Sequence, residues 1–156
     1  GQLIKIKGIS NATKTLEKAN VAERQSSSAK HILKKYDCPI DILSEYCDSY
    51  SDGSAIVLWA VFQNAIIGAD CLGERGKKAE IVGEEAAKKL AEEINLGAAV
   101  DEHLADNLIP FLGLFGGKIK TSKISNHTLT NIYVVEKFLD VKFNVDEKEK
   151  IISILI

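Results

Sequence analysis

The imidazole of His127 stands where a nucleophile directed at phosphorus would be useful. It lies in the polar run Ser125-Asn126-His127-Thr128, behind a glycine pair, Gly116-Gly117, and a lysine-bearing stretch from Lys118 to Lys123. An amphipathic segment follows, carrying Leu129, Ile132, Tyr133, Val135, Phe138 and Leu139 at helical spacing. That order puts the ring at a helix N-terminus, where unpaired backbone N–H groups and the positive end of the helix dipole attract anions. Neutral imidazole is nucleophilic near pH 7 because its reference pKa is about 6.5. With Asn126 or Thr128 as the cap, free N–H groups beside His127 would hold a phosphate and disfavour the imidazolium form. Without such a setting, a lone histidine in a polar loop is an ordinary surface residue, and His31, in a helical stretch among lysines, reads as one. Lys118 and Lys120 alternate onto one strand face, which suits either phosphate or plain water.

The elements that must position these groups fall into two parts, Gly1–Gly97 and Ala98–Ile156. In the first, Leu3 to Ile9 alternates as a half-buried strand, and Ser10-Asn11-Ala12-Thr13 has turn chemistry. A helix is predicted from Glu17 to Lys35 and a strand from Ile40 to Tyr46. Ser51-Asp52-Gly53-Ser54 signals a hairpin turn into Ala55–Phe62, an apolar run that reads as a central strand buried on both faces. Gln63-Asn64 turns the chain into Ala65–Ala69. From Lys78 to Asn95 the period becomes helical, with Val82, Ala86, Leu90 and Ile94 inward, and Glu84–Lys88 and Glu85–Lys89 as outward pairs. Gly97 is a helix stop.

The order β-α-β-β-β-α suits a small α/β (α+β) sheet domain with helices on one face. Beyond it, Ala98–Phe115 is a mostly apolar helical stretch interrupted by Pro110. Lys118–Lys123 is a short strand, and Lys142–Val145 and Lys150–Ile156 form a hairpin turning at Asp146-Glu147. So short a second part buries little of its surface alone. Its apolar ending, Ile151 to Ile156, would be an aggregation-prone edge strand. The expectation is that Ala98–Ile156 completes a larger domain whose other part is absent here.

Composition bounds the rest. With 46% apolar and 27% charged residues the chain is ordinary for a globular protein, and a net charge of −2 gives no global basic footprint for nucleic acid. No apolar run reaches the length of a membrane helix, and no secretory pattern opens the chain. Cys38, Cys47 and Cys71 form no C-x-x-C pair, which disfavours zinc and thiol-redox chemistry; reduced, mostly buried cytosolic thiols are expected. No dedicated metal cluster is evident.

The block from Gly116 through Leu139, with Asp101-Glu102-His103-Leu104-Ala105-Asp106-Asn107 upstream, resembles the C-terminal signature of the RNA 3'-terminal phosphate cyclases. Over Gly1–Asn95 the resemblance rests on element order and short matches such as Val21-Ala22-Glu23-Arg24. In that family a catalytic domain of repeated sheet-and-helix units is interrupted by a small inserted α/β domain. Residues 1–97 look like the insert and 98–156 like the last catalytic repeat; the N-terminal repeats have no counterpart here. The resemblance implies an ATP-dependent ligase that converts an RNA 3'-phosphate to a 2',3'-cyclic phosphate through a histidine–AMP adduct and an RNA-adenylate, with His127 as the nucleophile. It further implies nucleotide contacts from His103, Leu104, Ala105, Asp106 and Asn107, with His103 stacking on the base and Asp106 accepting from ribose or adenine. Glutamine is commoner in the family where Asn107 stands. An alternative for the segment is a helix start with Asp101 as cap. The implied partners are RNA with a 3'-phosphate end, ATP with Mg2+ or Mn2+, and the missing N-terminal part of the same protein. A non-catalytic ribosome-assembly factor of the same fold, which lacks the equivalent histidine, and an inactive fragment of the cyclase are the alternative readings.

Overall fold

The computed structural model describes residues 1–155; the last residue of the expected strand, Ile156, lies outside them. The chain forms two compact units, Gly1–Asn95 and Leu96–Ile156. In the first, strand β1 (Leu3–Thr13) leads through a 3-10 helix (Lys14–Ala19) to helix α1 (Val21–Leu33). Strands β2 (Ile40–Cys47), β3 (Ser54–Phe62) and β4 (Ile66–Leu72) and helix α2 (Ala79–Leu96) follow. The sheet order is β2-β1-β3-β4, with β1 and β2 parallel and the other pairs antiparallel.

Period-2 alternation decides which side chains are buried. Ile6, Ile42, Ile56, Leu58, Ala60 and Ile67 face Ala29 and Leu33 of α1 and Val82, Ala86 and Leu90 of α2. Both helices thus cover one face. The other is open, so β3 is not buried on both sides: Val57 is exposed although β3 lies inside the sheet.

Other expectations are corrected as well. Ser10–Thr13 is not a turn; β1 continues through it because its backbone pairs with β2 on one side and β3 on the other. A register shift between Leu3 and Lys5 turns Ile4 outward. The helix expected from Glu17 is broken at Asn20, whose φ of 49° is left-handed, a conformation asparagine tolerates. Ser51–Ser54 does not close a hairpin, since β1 lies between β2 and β3. Gln63-Asn64 does join a hairpin, β3 to β4. On α2, Glu84 pairs with Lys88 at 3.3 Å as expected. Glu85 instead takes Lys77 at 2.6 Å, and the Lys89 ammonium donates to the Asp70 carbonyl. Helix α2 ends beside Gly97, whose φ is +62°. All three cysteines are free, but only Cys71 is buried and Cys47 is exposed.

The second unit holds helix α3 (Glu102–Phe115), strand β5 (Lys118–Lys120), helix α4 (Asn126–Phe138) and strands β6 (Lys142–Asp146) and β7 (Ile151–Leu155). Strand β5 is shorter than expected, and the segment after it leads into the α4 cap. The sheet order is β5-β7-β6, all antiparallel. Strand β7 is therefore central rather than an exposed edge, and Ile152 is fully buried among Ile109, Leu112, Ile132 and Val135. Of the expected apolar face of α4, Ile132 and Val135 are buried, while Leu129, Tyr133 and Phe138 face outward. Among the described residues no helix is long and apolar enough to cross a membrane.

Candidate active site

Two helix starts meet at one end of the second unit. Helix α3 is capped by Asp101, whose carboxylate accepts from the Leu104 N–H at 2.7 Å. Helix α4 is capped by Ser125, whose hydroxyl accepts from the Thr128 N–H at 3.1 Å, so neither Asn126 nor Thr128 is the cap. Residues four apart lie on one helix face, and the cross-contacts climb in step. Glu102 binds Lys123 just ahead of the α4 cap, Asp106 bonds Asn131, and Gly113 faces Val135 and Leu139. The helices therefore run side by side in the same direction. Their positive ends, each worth roughly half an elementary charge, add rather than cancel.

His127 is the second residue of α4 and is exposed. Asn126 and His127 lie in the first turn, where backbone N–H groups have no intrahelical acceptor. On the neighbouring helix start, Glu102 binds Lys123 at 2.8 Å, and the His103 Nε2 lies 4.0 Å from its other oxygen. Lys123, then the two histidines, hold the Glu102 carboxyl below the usual carboxylate range. The cluster is thus two imidazoles, one ammonium and one carboxylate around two converging helix starts, an arrangement that favours phosphate oxygens.

Asp106 has a more specific setting than sequence reasoning supplies. Pro110 sits inside α3 and has no N–H, so the carbonyl four residues back, that of Asp106, loses its helical donor. The Asn131 side-chain amide fills that vacancy at 3.2 Å and donates to the Asp106 carboxylate as well. One proline thereby converts a helix defect into a strut between α3 and α4.

The remaining candidates divide. His103 projects into solvent with 88% of its side chain accessible, and Leu104 is exposed. Asn107 turns back to donate to the His103 carbonyl at 2.8 Å, which commits part of its amide to the helix. Ala105 is fully buried, so its methyl packs and offers no ligand contact. Lys118 and Lys120 are exposed on β5, on the side opposite the partly buried Ile119. Sequence reasoning missed Glu102 and Asn131; the available signal for the second was the four-residue spacing from Asp106 to Pro110. Among the described residues no group of three or more His, Cys, Asp or Glu side chains gathers as a metal site.

The chain is thus a two-unit α/β protein whose second unit sets an exposed histidine beside paired helix starts. Residues 1–95 match the family model for the insert domain of RNA 3'-terminal phosphate cyclase. A protein of Saccharolobus solfataricus named RNA 3'-terminal phosphate cyclase is 48% identical over 149 residues, covering 95% of this chain and 44% of its own. One of the same name from Pyrococcus abyssi is 47% identical, covering 92% of this chain and 42% of its own. Another from Thermococcus onnurineus is 48% identical, covering 89% and 41%. The chain belongs to the RNA 3'-terminal phosphate cyclase family, and it spans less than half the length of these curated relatives.

Proposed function

We propose that this chain supplies the C-terminal part of an ATP-dependent RNA 3'-terminal phosphate cyclase, with His127 as its covalent nucleophile. The observation that carries the reading is the exposed His127 ring in the first turn of a helix whose start lies beside a second helix start. An imidazole nitrogen attacks the α-phosphorus of ATP, an N–P bond forms, and the P–O bond to pyrophosphate breaks. An oxygen of the RNA 3'-phosphate then attacks the same phosphorus, breaking the N–P bond and giving an RNA-adenylate. The neighbouring 2'-hydroxyl attacks the 3'-phosphorus, loses its proton, and expels AMP as the 2',3'-cyclic phosphate closes.

First-turn N–H groups, Lys123 and the helix dipoles stabilise the charge that develops on phosphate oxygens. His103 offers a flat ring for the base, and the Asp106 carboxylate keeps acceptor capacity for the ribose. A divalent cation, Mg2+ or Mn2+, accompanies the nucleotide and offsets phosphate charge. Free thiols suit a reducing, cytoplasmic compartment. The remaining part of the longer protein covers the apolar surface of α3 and α4, where Phe111, Leu114, Phe115, Tyr133 and Phe138 are each more than half exposed.

The test is incubation of the full-length protein with ATP labelled at the α-phosphate. Acid-labile, alkali-stable label on the wild type and none on His127→Asn supports the reading. Absence of label under every metal condition points instead to a non-catalytic protein of the same fold.

A further inference from the structure

A feature still without an assigned role lies within the first unit. A cleft of about 710 Å³ opens between the end of the 3-10 helix, the Asp52–Ser54 loop and the Gly73–Lys78 loop. That volume is in the range of sites for nucleotide-sized ligands. Its floor is apolar, from Leu16, Val21, Ala79 and Val82. Three glycines, Gly53, Gly73 and Gly76, form parts of its wall, and Gly76, with φ +83°, leaves open space where a side chain would stand.

The charges of the lining sort into committed and uncommitted groups. Arg24 is bound to Glu80 through two nitrogens at 2.7 and 2.8 Å and to the Ala19 carbonyl, which makes it part of the wall. Lys77 is taken by Glu85 at 2.6 Å, and Asp52 accepts from the Thr15 hydroxyl. Arg75 and Lys78 remain, exposed on the loop around Gly76, and Lys78 reaches Glu80 through its charge alone; Glu74, and Asp52 whose partner is a neutral hydroxyl, are the lining carboxylates without an ion pair among the described residues.

A buried relay adds an oriented donor. Gln25 is fully buried, and its carbonyl oxygen accepts from the buried Ser10 hydroxyl at 2.8 Å. Its amide nitrogen therefore donates, at 2.9 Å, to the oxygen of Ser54, which lines the cleft. Ser54 is thus an acceptor toward Gln25, and its own proton is left for an occupant of the cleft. Two cations and one hydroxyl donor, set against the two carboxylates of Asp52 and Glu74, fit a singly charged phosphodiester better than a multiply charged triphosphate.

We propose that this cleft holds a nucleotide of the RNA strand, with its phosphodiester on Arg75, Lys78 and Ser54 and its base against Leu16, Val21 and Val82. The identity of the ligand as RNA rests on the proposed function; the site itself rests on the cleft. The open face of the sheet is the poorer surface for RNA, because Asp41, Glu45 and Asp70 alternate onto it around Trp59 and Lys7.

The experiment measures anisotropy of a short 5'-fluorescent oligouridylate ending in a 3'-hydroxyl, titrated with the whole 156-residue chain. Such an end cannot be cyclised, so binding is read apart from catalysis. Wild type binds saturably. Arg75→Ala with Lys78→Ala weakens binding by about tenfold or more and lowers the salt slope by about 1. Ser54→Ala weakens it by about threefold, and Glu74→Gln tightens it. Amide shifts on binding fall at Ser54 and Gly73–Ala79. No binding by wild type, equal binding by the Arg75/Lys78 variant with its circular dichroism unaltered, or displacement of the RNA by equimolar ATP would each overturn the proposal. Failure of the histidine-labelling test with retained binding here would remove the cyclase mechanism and leave this site standing.

Discussion

Replacing Asn131 by alanine removes both bonds of the strut between α3 and α4. One goes to the Asp106 carboxylate and the other, at 3.2 Å, to the Asp106 carbonyl that Pro110 leaves unpaired. A neutral hydrogen bond contributes about 0.5–1.5 kcal/mol and one to a charged group about 1.5–3 kcal/mol. Both partners are only partly buried, so water replaces some of what is lost and a net cost of about 1–2.5 kcal/mol is expected. The informative perturbation is the double change. Pro110→Ala restores an N–H four residues after Asp106, and the exposed ring forfeits little packing. In that background the carbonyl has its own helical donor, so Asn131→Ala costs about 0.5–1.5 kcal/mol less than in the wild type. The assay is urea unfolding of the four proteins of the cycle, followed by a probe in the second unit. Equal cost of Asn131→Ala in both backgrounds would refute the claim that the proline creates the vacancy Asn131 fills.

Other expectations follow from the same geometry. Arg24 holds the Glu80 carboxyl at about 2 by a bidentate hydrogen bond, below an unfolded value of about 4.3. Because the folded value is depressed, the stabilisation is complete above the unfolded value and is lost as pH falls from about 4.3 toward 2. Carbon-detected NMR titration should show that low midpoint, and Arg24→Ala should raise it toward the ordinary range; an unchanged midpoint would contradict the pairing. Gly83→Ala places a methyl 2.1 Å from the Gln25 carbonyl oxygen, so α1 and α2 must separate. A loss of about 1–3 kcal/mol or more is expected in thermal or urea unfolding, against a near-neutral Gly53→Ala control, where an added Cβ meets nothing within 4 Å. Lys123→Ala removes the largest cause of the low Glu102 value, and the carboxyl should titrate higher by NMR.

Much of this architecture was legible because periodicity reports burial directly. Val82, Ala86 and Leu90 recur at helical spacing and all are buried. The failures have physical causes in pairing and competition. Ser10–Thr13 looks like a turn because serine, asparagine and threonine favour turns, yet two strand neighbours claim its backbone. Ser51–Ser54 is a true turn sequence, but local chemistry cannot reveal that a distant strand inserts between the elements it joins. The apolar ending from Ile151 to Ile156 reads as an edge because nothing local shows β5 and β6 flanking β7. At the candidate site, the Asp101 cap was visible from residue type and position, whereas His127 was singled out through the family resemblance. The Glu102–Lys123 pair and the Asp106–Asn131 strut depend on two helices lying in parallel: the Asp106–Pro110 spacing marks a carbonyl without its helical donor, but nothing within α3 names the partner that fills it.

The central claim is most directly tested by mass spectrometry of the full-length protein after brief exposure to ATP, with proteolysis at alkaline pH to preserve a phosphoramidate. The account predicts one adenylate, carried by the peptide that contains His127. An adenylate on a lysine or on another histidine, with the His127 peptide unmodified, would contradict it.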